Sequence, residues 1–463
     1  DNLDIEFGIT KKFEIIIFQV RPLVMHIENN ISYTLIQSHI NSLKKRFNQK
    51  SKIKSSNNYS IFSDMTDWNP AEIIGNNPRN LDYSLYDYII MKSSWHEGRS
   101  VIGYNKIKNS SLMKKFGNKP YVDVRQSFNS LLPNNMSNKL KKKLITYYLE
   151  KLKKFPYLHD KSEFEILFTC YDFSTKTKLN ELKNFNFSKN EIEEIEINLL
   201  DFTNEIIQNF PQTSINCNAS INHLKKNRQK IFTKLNNSNQ NYRDLLTAAE
   251  ALLDDCREHG TKPFSTMARL SFIASTILKS LIVTNLLSKE HHDEFMQSIE
   301  TPLSKFQNDV IKFQNKKMKK VDFLKKYGHL RPGTYDITTP RYEHNHQFLE
   351  NLNLKHPPSK TNLSKKNQIK KILEQHNLEF SKINLFDFIE QAIIGREELK
   401  FLFTKNLSDS LELIAQAGKK LNFSRDDLSY LDIISILKNY KHYGKQNMIK
   451  YWQNKINSEK NKF

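Results

Sequence analysis

The first twenty residues contain two runs rich in the β-branched and aromatic residues typical of β-strands, and the first run alternates between polar and apolar positions. The runs are residues 4–9 and residues 13–20, and the polar segment Thr10-Lys11-Lys12 separates them. The pattern predicts an antiparallel hairpin that ends before Pro22. Because a two-stranded hairpin is at best marginally stable alone in water, we expect it to need sheet partners that this sequence does not contain.

Three polar side chains should lie close together on the predicted hairpin. They are Glu6 on the first strand, and Gln19 and Arg21 on the second. Two oxygen-bearing side chains beside one guanidinium group are suited to a metal-bound nucleotide. The alternative is that these three polar side chains are simply solvated on an edge hairpin.

A second alternating stretch, residues 120–130, predicts another strand. This strand would have Asp123, Arg125 and Ser127 on one face. Arg125 either pairs with Asp123 or binds an acid group of a substrate. Residues 163–171 alternate in the same way and predict one more strand.

Most of the remaining chain has the apolar spacing of amphipathic helices. Ser188 and Glu191 have the spacing of a capping box ahead of a long helix, and Ser424 is expected to cap a short turn through Asp427. The segment 263–287 is the most apolar and is expected to cross the centre of a helical bundle. The elements together predict an α+β fold that is mainly α. The predicted helices span approximately residues 33–47, 83–96, 140–152, 188–210, 219–235, 241–258, 263–287, 290–313, 365–376, 383–405, 408–418, 429–438 and 444–457.

The net charge is +21, because 71 lysines and arginines outnumber 50 aspartates and glutamates. This excess favours anionic partners such as nucleotides, phosphorylated substrates, nucleic acid or an acidic surface. The lysines are mixed throughout with Asn and Ile, however, which is typical of codon drift in an AT-rich genome and weakens the charge as a functional signal. Since no aromatic-and-basic pattern of a nucleic-acid-binding module occurs, nucleic acid is not the expected partner.

The three cysteines, Cys170, Cys217 and Cys256, lie far apart and form no C-x-x-C pair. This usage is typical of a reducing compartment, so we expect a cytoplasmic protein without a disulfide framework or a cysteine-based zinc site. No uninterrupted apolar run reaches the length of a membrane span, so no membrane-spanning segment is expected.

The segment 327–337 is the first candidate for chemistry. Glycine is scarce, at 11 of 463 residues, yet Gly328 and Gly333 lie close together here and flank His329 and Arg331. A guanidinium group on a stiff proline-containing turn is suited to a carboxylate or phosphate, and an imidazole can act as an acid or a base near neutral pH. The alternative is a tight interhelical turn in which the arginine binds a backbone carbonyl.

Four segments, in order along the chain, resemble a known group of proteins. Residues 4–7 and 18–22 resemble the end of the ATP-grasp domain in the phosphoenolpyruvate synthase and pyruvate phosphate dikinase superfamily. The other segments are similar to a narrower branch, the phosphoenolpyruvate-synthase-like proteins of surface-polysaccharide gene clusters, which includes L-glutamine kinases. Those segments are Ser63–Gly75, Tyr121–Asn129 and Gly328–Asp336.

The resemblance implies a phosphoryl transfer in two steps. In the superfamily, ATP phosphorylates a histidine on a swivelling domain, which then carries the phosphoryl group to an acceptor and leaves AMP and phosphate. By resemblance, Glu6 and Gln19 bind magnesium and ATP, and Arg21 contacts the ATP phosphates. The central region would bind a small acceptor, for which L-glutamine is the suggested identity.

The resemblance also implies roles for residues of the acceptor site. His329 and Arg331 are the expected catalytic residues. The further substrate-binding candidates are Arg125, Arg341, Arg269 and Arg396.

The same resemblance divides the chain into three regions. Residues 1–25 match the C-terminal end of an ATP-grasp domain, residues 26–135 are expected to be a linker with a mixed α/β segment, and residues 136–463 a mainly helical acceptor-binding domain. No segment matches the other ATP-grasp lobe or the phosphohistidine domain. We therefore expect an internal part of a longer polypeptide that supplies both, and no turnover by this part alone.

A second interpretation competes with the first. A helical, basic chain without catalysis would bind nucleic acid or another polyanion. The hairpin trio favours the phosphotransferase, whereas the net charge alone favours the polyanion-binding module.

Overall fold

The chain is described from a computed structural model and divides into two compact units, Asp1–Lys52 and Ile53–Phe463. Its described part is mainly helical with two small antiparallel sheets, which confirms the predicted α+β, mainly α class. That the hairpin belongs to an ATP-grasp domain stays a prediction. The structure describes residues 3–10, 12–22, 33–51, 59–108, 111–345 and 366–460.

The first unit contains the predicted hairpin followed by one helix. Its elements are β1 (Leu3–Ile9), β2 (Ile15–Pro22) and α1 (Tyr33–Ser51). The two strands pair antiparallel, with Glu6 opposite Gln19 and Asp4 opposite Arg21. A bulge follows Glu6 and shifts the register by one residue. Because Gln19 and Arg21 are two residues apart on one strand, their positions share a face with Glu6.

Large apolar side chains of the hairpin are exposed on the first unit. Phe7 is 53% exposed, Ile15 is 67% exposed and Phe18 is 66% exposed. None of the described residues of α1 is buried. The described part of this unit therefore has little core of its own, and its strand backbone is held by one partner strand only.

We predict fast hydrogen exchange in this hairpin. A two-stranded ribbon without a buried face opens by local fluctuation, whereas a core helix opens only on global unfolding. The amides of residues 15–20 should exchange about a hundredfold or more faster than those of residues 264–281. Mass-spectrometric hydrogen exchange on the whole chain measures both, and equal protection of the two segments would contradict the expectation.

The second unit contains a small three-stranded sheet. Its strands are β3 (Phe62–Ser63), β4 (Met113–Phe116) and β5 (Lys119–Asp123), in the spatial order β3-β5-β4 and antiparallel throughout. The strand predicted over residues 120–130 is therefore wrong beyond Asp123. The Asp123 side chain accepts a hydrogen bond from the backbone N–H of Gln126 at 3.3 Å and caps a helix there.

The helices account for most of the second unit. In chain order they are α2 (Pro70–Ile74), α3 (Asn80–Tyr86), α4 (Ser94–Ser100), α5 (Val124–Asn129), α6 (Asn138–Lys154), α7 (Ser162–Glu165), α8 (Thr175–Leu179), α9 (Lys189–Asn236), α10 (Tyr242–Asp255), α11 (Lys262–Val283), α12 (Lys289–Ser298), α13 (Pro302–Gln314), α14 (Lys320–Tyr327), α15 (Lys366–Gln375), α16 (Leu385–Lys420), α17 (Arg425–Ser429), α18 (Ile433–Asn439) and α19 (Lys445–Lys460). Two π-helical turns, Asp87–Met91 and Cys256–Thr261, and two 3₁₀ turns, Pro156–Leu158 and Asn180–Phe185, complete them.

Several predicted helices have different boundaries in the structure. α9 and α16 each run unbroken through a region that the sequence divided in two, and α9 does so although Pro211 lies inside it. The helix predicted over 290–313 is instead two helices, because Thr301 caps a new helix that begins at Pro302. The capping box of Ser188 and Glu191 is confirmed.

The strand predicted over residues 163–171 is wrong. The chain makes one helical turn, α7, and then continues without strand structure as far as Tyr171. Side chains from other parts of the fold accept the backbone hydrogen bonds here. Phe168 N–H donates to the Tyr148 hydroxyl, and Tyr171 N–H donates to Thr203 Oγ1. The alternating pattern reflects one buried side of an irregular segment and not a strand.

The centre of the second unit is formed by α10, α11 and α16. α11 is buried along most of its length, in agreement with the prediction for 263–287. α10, the π-helical turn Cys256–Thr261 and α11 form one continuous helical stretch, Tyr242–Val283. By length and composition it is the one described helix that could cross a membrane, and 67% of its most apolar window is buried inside the protein. A core helix meets the same criterion, so this is weak evidence for a membrane span.

Candidate functional site

Two of the predicted arginines meet at one serine of α16. Arg331 donates from Nε to Ser408 Oγ at 3.2 Å, and Arg341 donates from Nε to the same oxygen at 3.0 Å. The Ser408 hydroxyl in turn donates to the backbone carbonyl of His329 at 2.6 Å. The structure therefore brings together three of the residues that the sequence analysis selected, and α16 supplies the side chain that joins them.

Both guanidinium groups are buried, and each pairs with a carboxylate of α16. Arg331 Nη2 lies 2.8 Å from Glu412 Oε1, and Arg341 Nη2 lies 2.6 Å from Asp409 Oδ1. Arg331 also donates from Nη1 to the backbone carbonyl of Asp336 at 3.1 Å. The set that we call the α16 cluster is Arg331, Arg341, Ser408, Asp409 and Glu412.

The charges of the α16 cluster balance one another. Burial lowers the pKa of Arg331 to about 10, while Glu412 acts in the opposite direction, so Arg331 stays charged at neutral pH. Burial alone would raise the pKa of Glu412, but Arg425 and Arg331 hold that pKa below its ordinary value. An acceptor carboxylate or phosphate that binds Arg331 must therefore compete with Glu412.

The imidazole of His329 is enclosed. Its ring packs edge-on against Phe401 with 4.9 Å between centroids, and neither ring nitrogen has a hydrogen-bond partner among the described residues. Burial, together with the charges of Lys405 and Arg341, lowers the pKa of His329 to about 3. The ring is therefore neutral near pH 7. In this form one of its nitrogens carries a proton and the other can accept one.

The contacts of the α16 cluster are those of a brace between residues 328–345 and α16. Such a brace is the turn-stabilising alternative that the sequence left open for Arg331. The catalytic roles of His329 and Arg331 stay predictions. For either role, a ligand would have to reach a side chain that the fold already encloses.

Arg269 and Arg396 have other partners. Arg269 pairs with Glu163 in the interior, and its guanidinium carbon lies 5.2 Å from the centre of the Tyr104 ring. Arg396 pairs with its neighbour Glu397 at 2.6 Å. Each of these arginines is thus neutralised by a carboxylate outside the α16 cluster.

Arg125 differs from the other substrate-binding candidates, because it has no ion pair in the described part of the chain. It lies in α5, is half-buried, and donates from Nε to the carbonyl of Tyr59 at 2.7 Å. Asp123, the partner suggested by the sequence, instead caps α5 and accepts from Ser60 Oγ at 2.5 Å. Burial lowers the pKa of Arg125, whereas Asp123 and Tyr59 act in the opposite direction. Its terminal amino groups therefore remain available to an anionic ligand.

A second buried network surrounds Asp67. The Asp67 carboxylate accepts hydrogen bonds from Trp95 Nε1 at 2.6 Å and from Arg99 Nη2 at 2.9 Å, and Ser127 also donates to it. The side chains of Asp67 and Arg99 are fully buried. The φ angle of Asp67 is +60°, a left-handed conformation that is uncommon outside glycine. The set that we call the Asp67 cluster is Asp67, Trp95, Arg99 and Ser127.

Asp67 acts electrostatically on Glu163, the partner of Arg269. Burial alone would raise the pKa of Asp67, but the charge and hydrogen bonds of Arg99 outweigh burial and hold that pKa below its ordinary value. Burial raises the pKa of Glu163, and the negative charge of Asp67 adds to this effect in spite of Arg269.

His96 adds a neutral imidazole beside this network. It lies in α4 next to Trp95, its ring is buried, and neither ring nitrogen has a hydrogen-bond partner in the described ranges. Burial and the charge of Arg99 lower the pKa of His96 to about 4. The ring therefore offers one donor and one acceptor to a polar ligand at neutral pH.

The close approach of two helices positions the Asp67 cluster. Gly98 of α4 lies against α11, where a Cβ atom would be 2.3 Å from the carbonyl oxygen of Lys262. Ser265 and Thr266 of α11 donate to the carbonyls of Trp95 and Gly98, at 2.5 and 2.7 Å. A side chain at position 98 would separate the helices and displace Trp95 from Asp67.

Two of the segments that carry the resemblance meet here, and a third lies nearby. Ser127, from Tyr121–Asn129, donates to Asp67, from Ser63–Gly75. Tyr86 connects the third segment, because its hydroxyl donates to the carbonyl of Trp68 and its ring lies edge-on to Tyr335 with 5.1 Å between centroids. These segments are therefore neighbours in the fold although they are far apart in sequence.

The sequence analysis did not identify His96 or Arg99, and it included Asp67 only within the segment Ser63–Gly75. Asn69 of that segment caps α2, since its side chain accepts a hydrogen bond from the N–H of Glu72 at 3.2 Å. The available signal was the unusual segment 63–75 around Asp67. His96 and Arg99 lie in a stretch with the ordinary apolar spacing of a helix, and that spacing does not distinguish either residue as functional.

The hairpin residues fit the chemistry expected of magnesium ligands. Glu6 and Gln19 face each other across the register, are exposed, and supply a carboxylate and an amide oxygen. Oxygen donors of this kind are those that Mg²⁺ prefers. Arg21 pairs in register with Asp4, on the same face of the hairpin. Binding of ATP and Mg²⁺ at these residues stays a prediction.

Comparison of the chain with protein-family models and with curated proteins finds no match.

We predict that Asp67→Asn destabilises the protein strongly. The substitution leaves the buried guanidinium of Arg99 without its carboxylate, and breaking a buried pair in this way costs about 3–5 kcal/mol. Asparagine tolerates the left-handed backbone of this position, so backbone strain does not confound the result. Denaturant unfolding monitored by circular dichroism measures the free energy of unfolding.

The matched control is Asp426→Asn. Asp426 pairs with Arg79 at 3.8 Å and its side chain is 59% exposed. An exposed pair of this kind contributes about 0–1 kcal/mol, so the control should be nearly neutral. Equal losses in the two variants would show that the Asp67 pair does not act as a buried ion pair.

We predict that His329 makes the protein less stable as the pH falls below about 6.5. The folded pKa is about 3, whereas an unfolded histidine has a pKa near 6.5, so protons bind preferentially to the unfolded chain between these values. Between pH 7 and pH 5 this linkage lowers the free energy of unfolding by about 2 kcal/mol. His329→Gln should remove that part of the pH dependence, as measured by denaturant unfolding at both pH values.

His344→Gln is the control on the same loop. The His344 side chain is 58% exposed, so its replacement should leave the wild-type pH dependence unchanged. Identical pH dependence in wild type and in His329→Gln would contradict the assignment of His329 as a buried neutral histidine.

Proposed function

We propose that this chain is part of an ATP-dependent phosphotransferase of the dikinase type. On this proposal, the hairpin contributes Glu6, Gln19 and Arg21 to a site for magnesium and ATP. The helical unit binds a small acceptor that receives the phosphoryl group from a carrier histidine, with release of AMP and phosphate. An ATP-grasp lobe and a phosphohistidine domain complete the reaction.

The observation that carries the proposal is that two of the segments meet at the Asp67 cluster and a third is linked to them through Tyr86. Segments chosen only for their resemblance to one group of proteins need not be neighbours, yet Ser127 contacts Asp67, and Tyr86 connects Trp68 with Tyr335. A shared centre with buried ionisable groups supports a common binding or catalytic role. The register of Glu6 with Gln19 supports the nucleotide part of the proposal.

Arg125 is the residue that we propose for the acceptor carboxylate. Its guanidinium group is half-buried and has no carboxylate partner in the described part of the chain, whereas Arg331, Arg341 and Arg269 are neutralised. Arg125 and Ser127 are two residues apart on α5 and therefore project from different sides of that helix, so a ligand on Arg125 would lie on the Tyr59 side of α5. A bidentate contact with a carboxylate uses the free terminal amino groups of the arginine.

Titration calorimetry with L-glutamine tests this proposal. Wild-type chain should bind the amino acid saturably, and Arg125→Ala should weaken that binding about tenfold or more, because a charge-assisted contact contributes about 1.5–3 kcal/mol. The melting temperature of Arg125→Ala should stay near the wild-type value, since no ion pair of the fold is lost.

Arg243→Ala is the matched control. Arg243 also donates to a backbone carbonyl, that of Tyr443 at 2.8 Å, and has no ion pair among the described residues. Equal glutamine binding by Arg125→Ala and Arg243→Ala would contradict the proposed site. Binding of single-stranded DNA with a steep salt dependence, without binding of glutamine, would favour the polyanion-binding alternative.

A further inference from the structure

Three potential metal ligands lie together where α9 passes the end of α10. His223 projects from α9, Asp255 is the last residue of α10, and His259 lies in the π-helical turn that follows. One ligand atom from each of the three lies within 4.8 Å of the other two. A tetrahedral zinc ion, with bonds of about 2.0–2.1 Å, has its ligand atoms about 3.4 Å apart, so closing the site requires the two imidazoles to rotate until one ring nitrogen of each points to the ion.

The Asp255 carboxylate has an unsatisfied oxygen at this position. Oδ1 accepts a hydrogen bond from His223 Nε2 at 2.9 Å, while Oδ2 is buried and has no hydrogen-bond partner among the described residues. Asp255 as a whole is only 6% exposed. A buried carboxylate oxygen without a donor is costly, and a metal ion would satisfy it.

The two imidazoles lie side by side at this position. The rings of His223 and His259 are stacked with 3.8 Å between centroids and an interplanar angle of 25°. Neutral imidazole is the form that ligates metal ions.

The backbone around His259 is held by α16. A Cβ atom at Gly260 would lie 2.5 Å from Cβ of Phe403, and Cys256 Sγ donates to the carbonyl of Phe403 at 3.3 Å. The π-helical turn is therefore fixed on its inner side, with Cys256 directed to α16. Turns of this kind occur frequently at functional sites.

The neighbouring cations do not oppose a bound metal ion strongly. Lys262 is neutralised by Glu97 at 2.9 Å and by Glu258 at 2.6 Å. The guanidinium of Arg257 lies over the Tyr88 ring, 4.5 Å from its centre. The carboxylate of Asp255 then provides the local negative charge that a divalent cation requires.

We propose that His223, Asp255 and His259 bind Zn²⁺, with a fourth position open to solvent on the exposed side of His223. Two imidazole nitrogens and one carboxylate oxygen form a ligand set that suits zinc and related first-row ions, whereas Mg²⁺ and Ca²⁺ prefer oxygen ligands alone. Three protein ligands with an open fourth position are the arrangement in which zinc binds water or a substrate.

Titration of the chelator-treated chain with Co²⁺ and with Zn²⁺ tests the site. We expect one ion per chain, the intense visible bands of four-coordinate Co²⁺, and displacement of Co²⁺ by Zn²⁺. His259→Ala and His223→Ala should each weaken Zn²⁺ binding about tenfold or more, since each removes one of three ligands. His223 is exposed, so its variant keeps the test valid if His259→Ala does not fold.

The matched control is His292→Ala. His292 Nδ1 pairs with Asp293 Oδ1 at 2.8 Å, so it forms a histidine–aspartate pair without the third ligand that the proposed site has. This variant should bind Co²⁺ and Zn²⁺ as wild type does. The proposal is overturned if no four-coordinate Co²⁺ spectrum develops, or if both ligand variants bind Zn²⁺ as tightly as wild type does. A cobalt–thiolate charge-transfer band would equally overturn it by indicating a cysteine ligand.

Discussion

Neutralisation of buried arginine is the constraint on which this fold depends. The low-dielectric interior makes an unpaired guanidinium group expensive, so each buried arginine must lie where a carboxylate can reach it. Arg99 meets Asp67, Arg331 meets Glu412, and Arg269 meets Glu163. Each pair joins parts of the chain that are distant in sequence, and together the pairs determine which loops lie on which helices. Apolar packing builds the helical core, and the ion pairs select one arrangement of loops around it.

The same constraint separates structural arginines from those available to a ligand. Arg331 lies on a glycine-flanked turn of the kind that often binds phosphate, yet Glu412 already occupies its guanidinium face. Arg125 lies on an unremarkable helix, yet no carboxylate of the described chain pairs with it. Whether a guanidinium group lacks a carboxylate partner is therefore a better guide to an anion site in this protein than the shape of the motif around it.

Local chemistry explains which parts of the structure could be predicted from sequence. The hairpin, the capping box at Ser188 and the helical character of the chain follow from short-range periodicity and side-chain capping. The wrong strand over 163–171 follows from tertiary contacts, because the Tyr148 hydroxyl satisfies a backbone donor that a strand partner would otherwise take. For the site, the arginines of the 327–341 region were recognisable, but Asp409 and Glu412 were not. Those carboxylates lie on α16, where their spacing in the sequence is no different from that of solvated acidic residues on a helix.

Two candidate metal sites of different chemistry lie in this chain, and their ligand types keep them distinct. The Glu6 and Gln19 pair offers oxygen atoms on an exposed hairpin, which suits a hard, hydrated ion such as Mg²⁺ bound with its nucleotide. The His223, Asp255 and His259 set offers two nitrogens on a rigid frame, which suits Zn²⁺. Mg²⁺ gains little from imidazole, and Zn²⁺ binds weakly where protein nitrogen and sulfur ligands are absent. Under this division, millimolar Mg²⁺ in an assay would not compete for the histidine site, so zinc content and nucleotide binding can vary independently in the same molecule.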